Sequence, residues 1–281
     1  MLYWLLKFAV LGPLLKVVYR PHVEGIGNIP ADGAAILASN HLAFCDSLFL
    51  PVAAPRRVTF LAKAEYFTTG GVKGWLTRRF MQSIGQVPID RDDADAARAA
   101  MTTGVRLLRQ GALLGIYPEG TRSPDGRLYR GKTGVARMAL EARVVVVPCA
   151  MINTDRMQPT GRRIPRLRPR PGIRIGAPLD FSRYEGLSGD RFVERSMTDE
   201  IMYELMQLSG QEYVDLYAAK VKAATGAPVG FGDKSAPRPG PRDAAHNAAH
   251  SAAHSAAHGA AHGAAHGAAH DADRIPSQRA S

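Results

Sequence analysis

Five short apolar runs punctuate the chain up to residue 152: AAILAS at 34–39, VTFLA at 58–62, QVPI at 86–89, ALLGIY at 112–117 and VVVVPCAMI at 144–152. Continuous apolar runs of this length are the pattern of strands buried on both faces. Helix-like segments lie between them. DADAARAAMTTGVRLLRQG, 93–111, is Ala-rich, opens on an aspartate that can cap and closes on a glycine. KTGVARMALEAR, 132–143, is a second such segment. Farther on, Phe192, Val193, Met197, Ile201, Leu205 and Leu208 recur at helical spacing, and Gly210 is placed to end or kink that helix. This alternation predicts an α/β fold: a single layered domain with a mostly buried central sheet flanked by helices.

The two ends break the pattern. MLYWLLKFAVLGPLLKVVYR is apolar but carries Lys7, Pro13 and Lys16, so it falls short of the ~20 largely uncharged apolar residues of a spanning helix. Tyr3 and Trp4 suit a membrane interface, and the lysines are placed to reach headgroup phosphates. Residues 1–19 are therefore expected to associate with a membrane surface, although Lys7 and Lys16 would fall on opposite sides of one straight helix. The alternative is a helix packed on the core. From about 223 the composition turns to Ala, Gly, Pro and His, with seven histidines at period four from His246 to His270. A helix would make these a metal-binding stripe. The glycines and the lack of an apolar face favour a disordered low-complexity tail. The expected layout is an apolar segment at 1–19, a domain at 20–222 and a tail at 223–281.

Charge sharpens this picture. The 281 residues carry a net +11, with 46% hydrophobic and 22% charged positions. The tail from 223 holds five Lys and Arg against four Asp, so almost all of the excess sits on the domain. A basic domain points to an anionic partner such as a membrane, a phosphorylated substrate or nucleic acid. Residues 161–174, GRRIPRLRPRPGIR, hold six arginines, three prolines and no acid, and read as a basic loop. Two cysteines, Cys45 and Cys149, give no disulfide framework.

Candidate chemistry begins in SNHLAFCDSLFL, 39–50. On one regular helix His41 and Asp46 would sit about 140° apart and never meet. They can meet if His41 lies in the turn after AAILASN and a helix starts near Asp46. The carboxylate would then fix the imidazole tautomer, and the imidazole would act as general base on a hydroxyl. The competing reading is that Asp46 caps SLFL and His41 is a satisfied buried histidine. Downstream, GQVPIDR at 85–91 and YPEGTRS at 117–123 end two apolar runs with Arg91, and with Glu119, Gly120 and Arg122. Strand ends are where ligand sites form in α/β domains, and arginine matches phosphate geometry.

With these blocks in view the sequence resembles the glycerolipid acyltransferases, in particular the 1-acyl-glycerol-3-phosphate acyltransferases. The four blocks, in order, are N-H-L-A-F-C-D, G-Q-V-P-I-D-R, Y-P-E-G-T-R-S and V-V-P-C-A. The resemblance spans about 20 to 180 and implies acyl transfer from acyl-CoA or acyl carrier protein to the free hydroxyl of lysophosphatidic acid. Phosphatidic acid is the product it implies, with other lysophospholipid or polar-lipid acceptors as the alternative. It implies that His41 is the base, that Asp46 orients it, and that Lys63, Arg91 and Arg122 hold the acceptor phosphate. Glu119, Gly120 and Thr121 would shape that phosphate site. No metal or cofactor is expected, because a thioester is already activated. No nucleic acid is expected as a partner, and the expected location is the cytoplasmic face of a membrane.

Three rivals follow from other residues. Cys45 lies four positions from His41 and would serve as a thiol nucleophile if the imidazole activated it. GRLYRGKT, 126–133, matches the G-x-x-x-x-G-K-T phosphate loop of nucleotide hydrolases, but that loop needs a strand immediately before it. The basic charge also fits a non-catalytic binding module, against which the arginine loop carries no aromatic side chain.

Overall fold

A computed structural model of the chain describes residues 2–63, 71, 74–75, 78–79, 81, 85–89, 94–162 and 164–225. All of them fall in one compact unit, Met1–Ala236. The N-terminal stretch is helical: α1 (Leu2–Leu5), a π-helical run (Leu6–Leu11) and α2 (Gly12–Val18). β1 (His22–Glu24) and β2 (Ala35–Ser39) lead to α3 (Asp46–Ala53), then β3 (Val58–Lys63) and β4 (Gln86–Ile89). α4 (Ala94–Arg109), β5 (Leu113–Ile116), β6 (Leu128–Tyr129), α5 (Gly134–Ala142) and β7 (Val145–Ile152) follow. After α6 (Thr154–Met157) and β8 (Gly172–Ile175) come α7 (Arg191–Ser209), β9 (Tyr213–Val214) and α8 (Ala218–Thr225).

The five apolar runs all became strands of one seven-stranded sheet, in the order β1-β8-β7-β2-β5-β3-β4. Its centre is parallel: β2 pairs with β5 and β7, and β3 with β5 and β4. β8 lies antiparallel to β7 and parallel to β1. The sheet is covered on both faces, which is why its strands read as unbroken apolar runs. Leu37, Phe49, Leu50, Val147 and Met151 pack together on one side. On the other, Ile36 and Ala38 meet Val105, Leu108, Ala136, Met197, Ile201 and Leu205 from α4, α5 and α7.

Helix ends follow local chemistry. The Asp190 carboxylate accepts from the N–H groups of Phe192 (2.8 Å) and Val193 (3.2 Å), the N-cap geometry that starts α7. Gly210, in the left-handed conformation at φ 68°, ends it. The expected aspartate cap of α4, Asp93, lies outside the described residues, as do the histidine stripe and the rest of the tail from 226. α8 runs across the expected boundary at 222.

Two readings change. Gly172–Ile175, the end of the expected basic loop, is strand β8, with Arg174 donating to the Leu208 carbonyl. Lys7 is buried, and its ammonium donates to the Ala54 and Arg56 carbonyls rather than reaching outward. Tyr3 is buried as well, while Trp4, Leu5, Phe8, Leu14 and Val17 face solvent. The segment is thus both packed on the core and apolar outside. No helix among the described residues is long and apolar enough to cross a membrane.

Candidate active site

β2, β3, β4, β5 and β7 run parallel in one sheet, so the loops leaving their C-terminal ends gather along one edge. His41 sits in the loop after β2, and Asp46 is the first residue of α3. His41 Nδ1 lies 3.0 Å from Asp46 Oδ2. The same oxygen accepts the N–H groups of Leu42 (2.7 Å) and Ala43 (2.8 Å). Asp46 therefore caps the turn behind it, and its helix carries no side-chain cap of the kind the competing reading required. A buried carboxylate accepts only, so Nδ1 carries the proton and Nε2 is left as the basic nitrogen. Burial lowers the imidazole's affinity for a proton, Asp46 opposes that shift, and the nearby Arg122 and Lys222 charges add to it. His41 is thus neutral, and able to accept a proton, at neutral pH.

The ring is held flat. Tyr117 stacks on it at 3.8 Å between centroids and 10° between planes. Tyr117 shares a hydrogen bond with Ser47 (3.0 Å) and stacks in turn on Phe60. That last contact depends on Gly115: a Cβ there would lie 2.4 Å from the Phe60 ring. Behind the histidine, the Asn40 amide is tied to β7, donating to the Met151 carbonyl and accepting its N–H. The His41 carbonyl accepts from Ser123 N–H at 2.7 Å.

The loop after β5 holds Glu119, Gly120, Thr121 and Arg122. Glu119 is 1% exposed, with one oxygen accepting from His41 N–H (3.1 Å) and the other from Tyr129 N–H (3.0 Å). Burial pushes its carboxyl up to about 8. Glu119 thereby staples two loops together and supports the histidine's backbone. Gly120 takes φ +73°, and a Cβ there would meet the Lys132 side chain at 3.0–3.2 Å. Thr121 Oγ1 accepts from Lys222 Nζ at 2.9 Å. Arg122 lies close enough to His41 and Lys222 to lower both of their proton affinities. Lys63 ends β3, next to β5 on the same edge of the sheet, and nothing is described of its side chain. Arg91 lies outside the described residues.

Cys45 and the phosphate-loop match fare differently. Cys45 is 1% exposed, and burial drives its thiol well above the ordinary range, the opposite of an activated nucleophile. β5 ends at Ile116 and turns follow it to Gly126, so GRLYRGKT lacks the strand its fold would need. Among the described residues no group of His, Cys, Asp and Glu is arranged to hold a metal ion.

Comparison with known proteins finds similar sequences and a similar fold. The acyltransferase family, as a sequence model, matches residues 20–152. The matched segment includes His41, Asp46, Lys63, Arg91 and the loop 117–123. The chain is 33% identical over 144 residues to 1-acyl-sn-glycerol-3-phosphate acyltransferase LPAT1, chloroplastic, of Arabidopsis thaliana, covering 51% of this chain and 39% of that protein. It is 32% identical over 125 residues to the 1-acyl-sn-glycerol-3-phosphate acyltransferase of Bacillus subtilis, covering 44% of this chain and 58% of that one. The chain thus spans only part of the length of the curated relatives it matches. The crystal structure of the LPA acyltransferase PlsC from Thermotoga maritima shares the fold with a TM-score of 0.53 at 23% identity, over 73% of this chain and 82% of that one.

Sequence reading missed the roles of three residues around the candidate site: Tyr117, Lys222 and Gln211. Tyr117 opens the quoted block Y-P-E-G-T-R-S, but its stacking role leaves no spacing signal. Gln211 Nε2 donates to the Gly126 carbonyl, and its Oε1 accepts from Asn40 Nδ2, both at 2.6 Å. Lys222 and Gln211 come from beyond residue 152, and only tertiary packing brings them in.

Proposed function

We propose that the protein transfers an acyl group from acyl-CoA or acyl carrier protein to the free hydroxyl of lysophosphatidic acid, giving phosphatidic acid. The observation that carries this reading is His41, held flat by Tyr117 with Nδ1 on Asp46. A base of that kind deprotonates a hydroxyl as its oxygen attacks the thioester carbonyl. The tetrahedral intermediate then expels the thiolate, which takes up the proton held on Nε2. Asp46 stabilises the transient imidazolium. Arg122, with the other cations at the β5 loop, supports an acceptor that bears a phosphate. No cofactor enters the scheme; the acyl donor is a substrate. The names of the relatives support the same acceptor.

Trp4, Leu5, Phe8, Leu14 and Val17 form an outward apolar face that suits the interface of an anionic membrane, on its cytoplasmic side. Trp4→Ser with Phe8→Ser should reduce sedimentation with anionic vesicles, and unchanged sedimentation would remove the membrane from the proposal. For the reaction itself, purified protein is offered lysophosphatidic acid or neutral lysolipids with labelled acyl-CoA or acyl carrier protein. Product masses should identify phosphatidic acid. Transfer only to phosphate-free acceptors would sink the assignment.

A further inference from the structure

The acyltransferase match ends at residue 152, yet the chain returns to the site far downstream. β9 pairs with β6, registering Leu128 with Tyr213 and Tyr129 with Val214. Tyr129, Val214 and Ala218 form a small core of their own beneath α8. Gln211 fixes the start of this strap to Asn40 and Gly126. Its far end carries Lys222, 7% exposed, with Nζ 2.9 Å from Thr121 Oγ1.

We propose that Lys222 is the inner wall of a phosphate-monoester site formed with Thr121, Arg122 and Lys132. The inference rests on the acyl-transfer reading above and adds a residue that the sequence blocks do not contain. Burying an ammonium is costly unless an anion or several acceptors meet it. Here burial depresses Lys222 first, the nearby Arg122 charge depresses it further and Glu119 opposes them, so its pKa falls to about 8. Lys132 lies over Gly120 on the solvent side of the same loop. Glu119, the near carboxyl, is occupied by two backbone N–H groups. A dianionic phosphate at the loop would meet the buried ammonium of Lys222 beside Thr121.

The Lys222–Thr121 bond has a directional consequence. An ammonium only donates, so the threonine oxygen is the acceptor in that bond. Its own O–H is then free to donate, and an anion on the exposed side of the loop is the partner this favours. Lys222 supplies charge directly and also orients the Thr121 hydroxyl. In the second capacity it is a positioning residue.

The phosphate could be that of the acceptor lipid or that of a CoA donor. Calorimetry on the full chain separates them, using sn-glycerol 3-phosphate for the first and adenosine 3′-phosphate for the second. Lys222→Met should weaken binding of one of these probes by about tenfold or more, the range of one charge-assisted bond. Lys222→Arg should restore part of the affinity. Weakening with glycerol 3-phosphate places the acceptor there, and weakening with adenosine 3′-phosphate places the donor there. In turnover the loss should appear in KM for the affected substrate, with kcat changed little. Unfolding midpoints check the fold, and Lys222→Gln replaces the methionine variant if that one does not fold. Wild-type affinity for both probes in a folded variant would overturn the proposal. Phosphate binding needs no turnover, so a protein that binds glycerol 3-phosphate through Lys222 but acylates nothing refutes the reaction and leaves the site standing. A protein that acylates lysophosphatidic acid with Lys222 irrelevant does the reverse.

Discussion

The loop after β2 and the strap at 210–225 both end beside the same histidine, and they are built in opposite ways. In the first, His41 and Asp46 are five residues apart, and a short turn followed by a helix start brings them to 3.0 Å. In the second, Gln211 reaches Asn40 across 171 residues of chain, and Lys222 reaches Thr121 across 101. The first arrangement is encoded by local geometry. The second exists only because β9 pairs with β6 and because Tyr129, Val214 and Ala218 pack together. Chemistry can therefore be local while the frame that orients it is not.

The comparison can be broken first at the local end. His41→Ala should lower kcat by about 10²–10⁴, the usual cost of a lost general base, with the unfolding midpoint near wild type. In wild type the rate should fall as pH drops through the His41 pKa, which burial holds below the ordinary histidine value. The sign follows from the base needing its neutral form: full rate above that pKa, loss below it. An acid limb lying well above the ordinary value would contradict the burial argument.

Arg122→Ala comes next. A guanidinium on phosphate makes charge-assisted bonds worth ~1.5–3 kcal/mol, so kcat/KM for lysophosphatidic acid should fall roughly ten- to a hundredfold or more. Arg122→Lys should restore only part, because an ammonium lacks the planar fork. An equal loss on a phosphate-free lysolipid would mean that Arg122 serves the fold or the donor.

The strap gives a smaller effect. Gln211→Ala removes two hydrogen bonds that hold Asn40 and Gly126, and should cost about 1–3 kcal/mol of stability. Activity should drop less than tenfold, since His41 keeps Asp46 and Tyr117. A loss as large as that of His41→Ala would erase the distinction between frame and chemistry. Smallest of all is Cys45→Ala, which should retain most activity because a buried thiol with raised proton affinity is inert. An acyl group trapped on Cys45 by mass spectrometry would reverse that ranking.

The same contrast explains what was legible in the sequence. The runs at 34–39, 58–62, 86–89, 112–117 and 144–152 were readable as strands because a sheet covered on both faces leaves each strand continuously apolar. His41 with Asp46 was readable because the turn placing them is short. Glu119 was legible as part of its block, but how it is held was not. Its residue type announces charge, while its burial and two backbone partners emerge only in the folded chain. Lys7 was misread for the same reason: a lysine in an apolar stretch looks outward until the carbonyls of Ala54 and Arg56 are in place. Tyr117 stood inside a quoted block, but its task gave no signal, because a ring stacked on another follows no sequence period.

The shared Asp46 oxygen implies that Asp46 acts through His41 rather than beside it. A double-mutant cycle on kcat tests this most directly, comparing Asp46→Asn, His41→Ala and the two combined. Asp46→Asn alone should be severely impaired through loss of tautomer control. With the imidazole already gone, the carboxylate has nothing left to orient, so the combined variant should be no slower than His41→Ala alone. Losses that multiply in the combined variant would show two independent contributions and would contradict the dyad.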